Sequence, residues 1–434
     1  MQKEEIENKS DYDLIIIGGG ASGMMAAVVA SSRGEKVLII EHNDELGKKL
    51  KITGGGRCNI LNAEYDKQIL LANYDKAGKY LQSAFSVFGV EETIQFFKNL
   101  NIEIKIEDRK RAFPLSGKAY DVYKALYTEI IKNKVEILLG YEIKKFLFKQ
   151  EISSVEIYNI KSKDTKIISA KRYILATGGA SHPETGSTGK GFDILNGLGL
   201  KIIKPTPSLV PIKSDTKWIH ALSGRTLKNV KINIFVDNKK RLTLKGDKEK
   251  NINVLCTHFG LSGPSIINNS KAISELLKEG EVTASIDLFK DMDIGQMDNY
   301  LLDTFDKNKN KKLKNILNDI YPDNVLEIII NNYNANDLHL ILERQINDIS
   351  REDRRRLAHM LKDLKFSIDG LMGNDMAIVV DGGLDIDELD MTTMKVKKYT
   401  NLHVIGDLVD ITRPSGGYSL QLCWTMGYIA GISK

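Results

Sequence analysis

Gly18, Gly20 and Gly23 carry the first chemistry that can be read in this chain. They fall in the spacing G-x-G-x-x-G between an apolar β-branched run, residues 13–17, and a stretch of small and apolar residues, MMAAVVASSRG, that suits a helix. In that setting Gly18 permits a tight turn, Gly20 lets the backbone approach a pyrophosphate, and Gly23 lets the helix lie close to the strand. The start of the helix then offers N–H donors and a partial positive charge to phosphate oxygens. Glu41, 18 positions after Gly23, ends the next apolar run. A carboxylate there accepts both hydroxyls of an adenosine ribose and repels a 2′-phosphate.

The late segment NLHVIGDLVD, residues 401–410, decides between NAD and FAD. It places Gly406 and Asp407 at the end of a strand, and GGYSLQLCWTMGYIAG follows with helical character. FAD is the longer molecule and needs contacts beyond the first βαβ unit. Asp407 is suited to ribitol hydroxyls, and a helix opening near Gly416 and Gly417 can aim N–H groups at the flavin N1–C2=O edge, stabilising the anionic reduced ring. For catalysis, His258 is a candidate to protonate an enolate or bind a carbonyl, with a structural histidine as the alternative. Tyr418 is a second donor candidate, with packing against the ring as its alternative. Arg57 and Arg413 could clamp a substrate carboxylate or the pyrophosphate. Cys58 has no CxxC partner and reads as a small packed residue. The seven histidines show no HExxH or paired metal spacing, so no metal is expected. The P-loop-like 186–191 lacks the first Gly and the Ser/Thr, and SxxK at 214–217 has no supporting motifs.

These residues need a frame. The runs 13–17, 36–40, 171–176 and 402–405 read as buried strands, two of them followed at once by glycine and 171–176 by Thr177 and then glycine. A βαβ start implies a parallel sheet, and ligands in such sheets bind at strand C-termini, so distant glycine turns could meet on one ligand. From about 205 the texture changes. Pro205, Pro207 and Pro211 punctuate the entry, alternation as in VKINIFV (230–236) suggests antiparallel strands, and 297–364 is helical and charged. The basic runs 307–315 and 351–356 read as solvated helix faces or loop, with a nucleic-acid or lipid surface as the alternative.

Composition sets outer bounds. A chain of 434 residues allows two or three domains at roughly 150 residues each. With 42% hydrophobic and 27% charged residues, disorder and coiled-coil composition are excluded. A net charge of +5, from 62 basic against 57 acidic residues, is too dilute to announce a nucleic-acid binder. Three cysteines far apart suggest no disulfide framework, and the polar start lacks a secretory pattern. The expectation is a cytoplasmic protein without a membrane span, acting on a small molecule. Its oligomeric state is not legible.

Beyond single motifs, the blocks Thr53–Asn59 (TGGGRCN), 176–179 (ATGG) with 186–189 (GSTG), 257–264 (THFGLSGP) and 416–421 (GGYSLQ) resemble the signature of a bacterial family of NAD(P)/FAD-dependent oxidoreductases. That family includes 3-dehydro-bile-acid Δ4,6-reductase and aminoacetone oxidase, and the blocks span residues 14–431. The resemblance implies an α/β architecture: a two-part Rossmann-like FAD-binding domain (1–203 and 365–434), an inserted β-rich domain (204–296) and a small helical subdomain (297–364). It implies noncovalent FAD contacts from Gly18, Gly20, Ala21, Ser22, Gly23, Glu41, Lys49, Gly56, Arg57, Cys58, Thr177, Gly178, Gly406, Asp407 and the turn Gly416, Gly417, Tyr418, Ser419 and Leu420. This chain departs from the family in three places. Asp407 stands where Glu is frequent, Lys190 where Asp is usual, and Arg413-Pro414-Ser415 replaces a glycine-rich stretch, so Lys190 and Arg413 are expected to make the cavity more cationic.

The activity expected is reduction, by NAD(P)H through FAD, of a double bond conjugated to a carbonyl in a small organic, steroid-like substrate. The alternatives are an amine oxidase of the aminoacetone type that releases peroxide and an RNA-modifying flavoprotein that uses the basic runs. No second dinucleotide fingerprint is present for NAD(P)H, which would visit transiently. Replacing Glu41 by Ala is predicted to weaken FAD retention, at about 1.5–3 kcal/mol for each charge-assisted hydrogen bond before water compensates. The dissociation constant of FAD from the variant measures it, and an unchanged value would remove Glu41 from the ribose.

Overall fold

The computed structural model describes residues 10–244, 252–333, 337–373, 376–377 and 379–433. Leu14 to Ile17 are wholly buried, as a strand of Leu and three Ile covered on both faces must be. This strand, β1 (Tyr12–Ile17), lies between β2 (Val37–Glu41) and β4 (Ala170–Leu175), with β3 (Glu136–Leu139) outside β2 and β5 (Leu402–Val404) outside β4. All five are parallel. A short antiparallel pair, Leu389–Asp390 and Lys395–Val396, extends the β5 edge.

Register brings the strand ends level. Ile17 pairs with both Ile40 and Leu175, and Leu175 with Val404. Gly18, Glu41, Ala176 and Ile405 therefore emerge along one edge of the sheet, the meeting of distant turns that the sequence leads one to expect.

Two helices lie against each other over this sheet, α1 (Ala21–Ser32) and the C-terminal α3 (Tyr418–Ile432). Their approach depends on small residues. A Cβ added at Gly427 would lie 2.6 Å from Ser22 O, and one at Gly431 would lie 2.8 Å from Val29 Cβ. Helix α3 carries apolar residues all round, so it is buried rather than amphipathic. Its end is tied to β4 by Arg172, whose Nη1 donates to Ala430 O at 2.8 Å and whose Nη2 pairs with Glu35 at 2.7 Å, a cation at a helix C-terminus.

The chain divides into two units, 1–207 with 378–434, and 208–377. In the second, the long strand Thr226–Val236 pairs antiparallel with Val282–Asp287 on one side and Ile252–Thr257 on the other. Helices Ile294–Asp306 and Arg351–Lys362 bury Met297, Leu301, Leu357 and Leu361 in the same core as Ile232 and Ile286, so strands and helices here form one body. The unit borders fall away from 203/204 and 364/365. The proline-bearing Ile202–Ser208 pairs with Val379–Leu384 in an isolated two-stranded sheet, where missing N–H groups cost little, and this keeps 204–207 with the first unit. Leu364–Ser367 pairs with Val282–Asp287, and Gly370–Leu371 with Ile212–Lys213, which keeps 365–377 in the second.

The basic runs are ion-paired within the second unit. Lys312 and Lys314 both meet Glu343, Arg354 makes a forked pair with Asp298 at 2.8 and 3.2 Å, and Arg356 meets Glu352 and Asp353. Among the described residues no helix is long and apolar enough to cross a membrane.

Gly23 is the tightest point of the first turn: an added Cβ would sit 1.9 Å from Gly18 O. Gly23→Ala is expected to destabilise the first unit by about 1–3 kcal/mol or more through overpacking. Urea unfolding without added cofactor measures this, and a neutral result would show that the turn relaxes freely.

Candidate cofactor and active site

A cleft of about 920 Å³, open solvent included, runs along the strand ends of the first unit. Its walls contain Gly18, Gly20, Ala21, Ser22, Glu41, Lys49, Thr177, Gly178, Gly406, Asp407, Ser419 and Leu420. These twelve sequence candidates, scattered over four hundred positions, are brought to one surface.

At one end, the Glu41 carboxylate is buried yet well supplied with donors. Gly19 N donates to Oε2 at 2.7 Å, while Asn43 N and Nδ2 donate to Oε1, both at 2.8 Å. A carboxylate has about four lone-pair sites, and with these three taken one remains, on Oε2, for a hydroxyl. The middle of the cleft is main chain. Gly20 lines it, and a Cβ there would meet nothing within 4 Å, so bare backbone faces the groove. Gly20 and Gly417 are the N-caps of α1 and α3, and no side chain caps either helix. Their first-turn N–H groups are left to a ligand, and Ala21, Ser22, Ser419 and Leu420 of those turns line the cleft.

At the other end stands Asp407, in the turn after β5. Arg413 Nη2 donates to Oδ1, and Lys49 Nζ, from the short helix α2 (Lys48–Ile52), lies 3.6 Å from Oδ2. Lys49 is itself held by Ser181 Oγ at 2.6 Å. Burial by itself would raise the Asp407 carboxyl, but the two cations outweigh it and hold the group below the usual carboxylate range.

Other candidates are placed elsewhere. Gly23 is packed beneath the turn. Gly56 and Arg57 are exposed on the loop after α2, where Arg57 pairs with Glu107 at 2.6 Å and lies over the Phe113 ring. Cys58 is fully buried, and burial pushes its thiol up to about 12, as suits a packed residue. Gly416 and Gly417 make the turn before α3 with φ of 115° and 102°. Tyr418 is nearly buried edge-on to Tyr74, and its phenol is pushed up to about 12 by burial and by Glu64. His258 belongs to the second unit, exposed on the turn between Ile252–Thr257 and Gly260–Ser262 with its ring edge-on to Phe259. The cationic surplus expected of Lys190 and Arg413 is cancelled locally, because Lys190 pairs with Glu142 and Arg413 with Asp407.

Several wall residues are absent from the expected contacts: Asn43, which bridges Glu41 and Thr185 O, Val379 and Cys423, and also Thr53, which opens the TGGGRCN block but is assigned no contact. Cys423 was within reach of inference, being four residues after Ser419 on one helix face. Asn43 and Val379 carry no local signal.

The family model for the HI0933-like protein Rossmann domain matches residues 12–433. The chain belongs to this family. Curated relatives of the HI0933-like chain include the 3-dehydro-bile acid Δ(4,6)-reductase of Clostridium scindens, 27% identical over 93% of this chain and 94% of that protein. The ribosomal RNA dihydrouridine synthase of Escherichia coli is 26% identical over 96% of each. Among solved structures, the 3-ketosteroid-Δ4-(5α)-dehydrogenase of Rhodococcus jostii, in complex with 4-androstene-3,17-dione, superposes with a TM-score of 0.54 over 99% of this chain and 98% of that one. At 13% identity this likeness establishes the fold alone.

The Asp407 environment has a pH signature. A carboxyl held below its unfolded value of 3.8 adds stability that is full above that value and is lost as pH falls through the lower, folded one. The destabilisation caused by Asp407→Asn should therefore be constant near neutrality and shrink as pH drops below 3.8. Paired unfolding curves against pH measure it, and a difference that does not change in acid would mean Asp407 is not held ionised.

Proposed function

We propose that this chain is an FAD-dependent oxidoreductase that reduces a carbon–carbon double bond conjugated to a carbonyl, with NAD(P)H as the electron donor. The observation that carries the cofactor is the cleft itself: an acid with a spare acceptor site at one end, two uncapped helix starts along it, and a second acid held by two cations at the other. That donor set fits FAD in order, with Glu41 on the adenosine ribose, the α1 turn on the pyrophosphate, Asp407 on the ribitol, and Ser419 and Leu420 beside the ring.

When bound, FAD supplies the hydride chemistry that no side chain provides. The protein's share is to orient, to exclude water and to manage charge. With Arg413 offset by Asp407, Lys49 and the α3 start place positive potential at the end where the ring would lie and negative charge would develop on reduction. Tyr418, 7% exposed and outside the cleft walls, packs against Tyr74 and is given no proton to move. The substrate class is supported by the two curated relatives. Saturating a conjugated 4,6-diene ketone and saturating the uracil ring to dihydrouridine both add hydrogen to an alkene conjugated to a carbonyl.

A second reading, in which the conjugated bond belongs to uracil within RNA, is favoured by one feature. The basic loop Arg109-Lys110-Arg111 is tied to the ring-end turn by Asn62, whose Nδ2 donates to Arg109 O at 3.1 Å and Gly416 O at 3.0 Å. Phosphates could be met there, beside the reacting end.

Anaerobic mixing tests both readings. NADH or NADPH is expected to bleach the visible flavin band of the holoprotein, and a simple enone to restore it without peroxide. Restoration only by a uridine-containing transcript, with steep salt dependence, would select the second reading. No bleaching by either nicotinamide, with bleaching by small amines and peroxide under air, would overturn the reductase assignment.

A further inference from the structure

Arg413 is 2% exposed, and all three of its nitrogens are engaged. Nη2 donates to Asp407 Oδ1, Nε to Ser419 Oγ at 3.1 Å, and Nη1 to Ile411 O at 2.6 Å. Asp407 and Ser419 both line the cleft; Arg413 does not. The two come from different elements, the turn after β5 and the first turn of α3, and the guanidinium is the group that joins their side chains.

We propose that Arg413 is a positioning residue, which locks the Asp407 carboxylate and the Ser419 hydroxyl into one rigid element of the cofactor cleft. The inference rests on the FAD reading above. Its physical basis is the planar fork of five N–H donors, which fixes a carboxylate and a hydroxyl in a set mutual orientation, as a single ammonium cannot. Without the fork, Asp407 keeps Lys49 on its other oxygen but is free to rotate towards it, and Ser419 loses its acceptor role. Ordering both groups would then fall on cofactor binding, which would weaken accordingly. Arg413 thus acts behind the wall, on two groups that face the ligand, and has no contact with substrate to make.

The test is FAD affinity of the full-length apoprotein, read by quenching of flavin fluorescence, in wild type, Arg413→Met, Asp407→Asn and the double variant. Arg413→Met is expected to weaken FAD about tenfold to a hundredfold, the range for loss of a charge-assisted hydrogen bond. Because Arg413 works through Asp407 and Ser419, adding Arg413→Met to Asp407→Asn should weaken FAD by less than the same change does in wild type, the remainder being the share of Ser419. Losses that multiply would show Arg413 acting independently, and an unchanged affinity in Arg413→Met would overturn the proposal while leaving FAD in the cleft. If wild type itself takes up no FAD, the cofactor reading fails and the proposal with it. Should Arg413→Met not fold, Arg413→Lys carries the test. Its ammonium replaces the charge but not the fork, so affinity should fall and Ser419→Ala should cause no further loss in that background. Wild-type affinity in Arg413→Lys, or a full additional loss from Ser419→Ala, would refute the positioning role.

Discussion

The first unit depends on how closely its main chain can approach itself at the edge where the parallel strands end. Gly18, at φ +107°, brings the β1 turn so near the end of β4 that a Cβ would lie 2.3 Å from Ala176 O, and Gly23 returns the helix against that same turn. A side chain at either position would overlap main chain unless the turn shifted. With β1, β4 and β5 in register, the turns after them are forced into one groove whose floor is backbone. The side chains that give the groove its chemical character are then confined largely to its ends.

Those ends are built on opposite electrostatic plans. Glu41 is satisfied by neutral amide donors, so its surroundings keep a net negative charge suited to hydroxyl donors. Asp407 is met by both Lys49 and Arg413, which leaves a surplus of one positive charge. A ligand with hydroxyls at one end and a developing anion at the other is matched in that direction and mismatched if reversed. The cleft therefore has a polarity as well as a shape.

What could be read from the chain was what depends on neighbours in sequence. The run before Gly18, the glycine spacing and the acid that ends β2 all lie within thirty residues, and periodicity marked β4 and β5 without knowledge of their partners. Charge bookkeeping failed for the opposite reason. Lys190 and Arg413 looked like added positive potential, yet each meets a carboxylate that only folding brings to it, Glu142 across 48 positions and Asp407 across a loop of unforeseeable geometry. Where the second unit ends is set in the same non-local way, because Leu364–Ser367 reveals its allegiance only through pairing with Val282–Asp287. Asn43 matters through a bond to Thr185, 142 residues away, and no local pattern announces it.

Helix α3 is the last element of the chain, and it packs against the first helix, supplies one end of the groove and is anchored by Arg172 of β4. During synthesis the amino-terminal strands therefore wait, with their apolar faces only partly covered, while the whole of 208–377 emerges and can complete its own core. The nascent chain completes its central sheet only after the intervening unit has been made, which makes the early half a natural client for chaperones and makes loss of α3 a lesion in the first-made part of the fold.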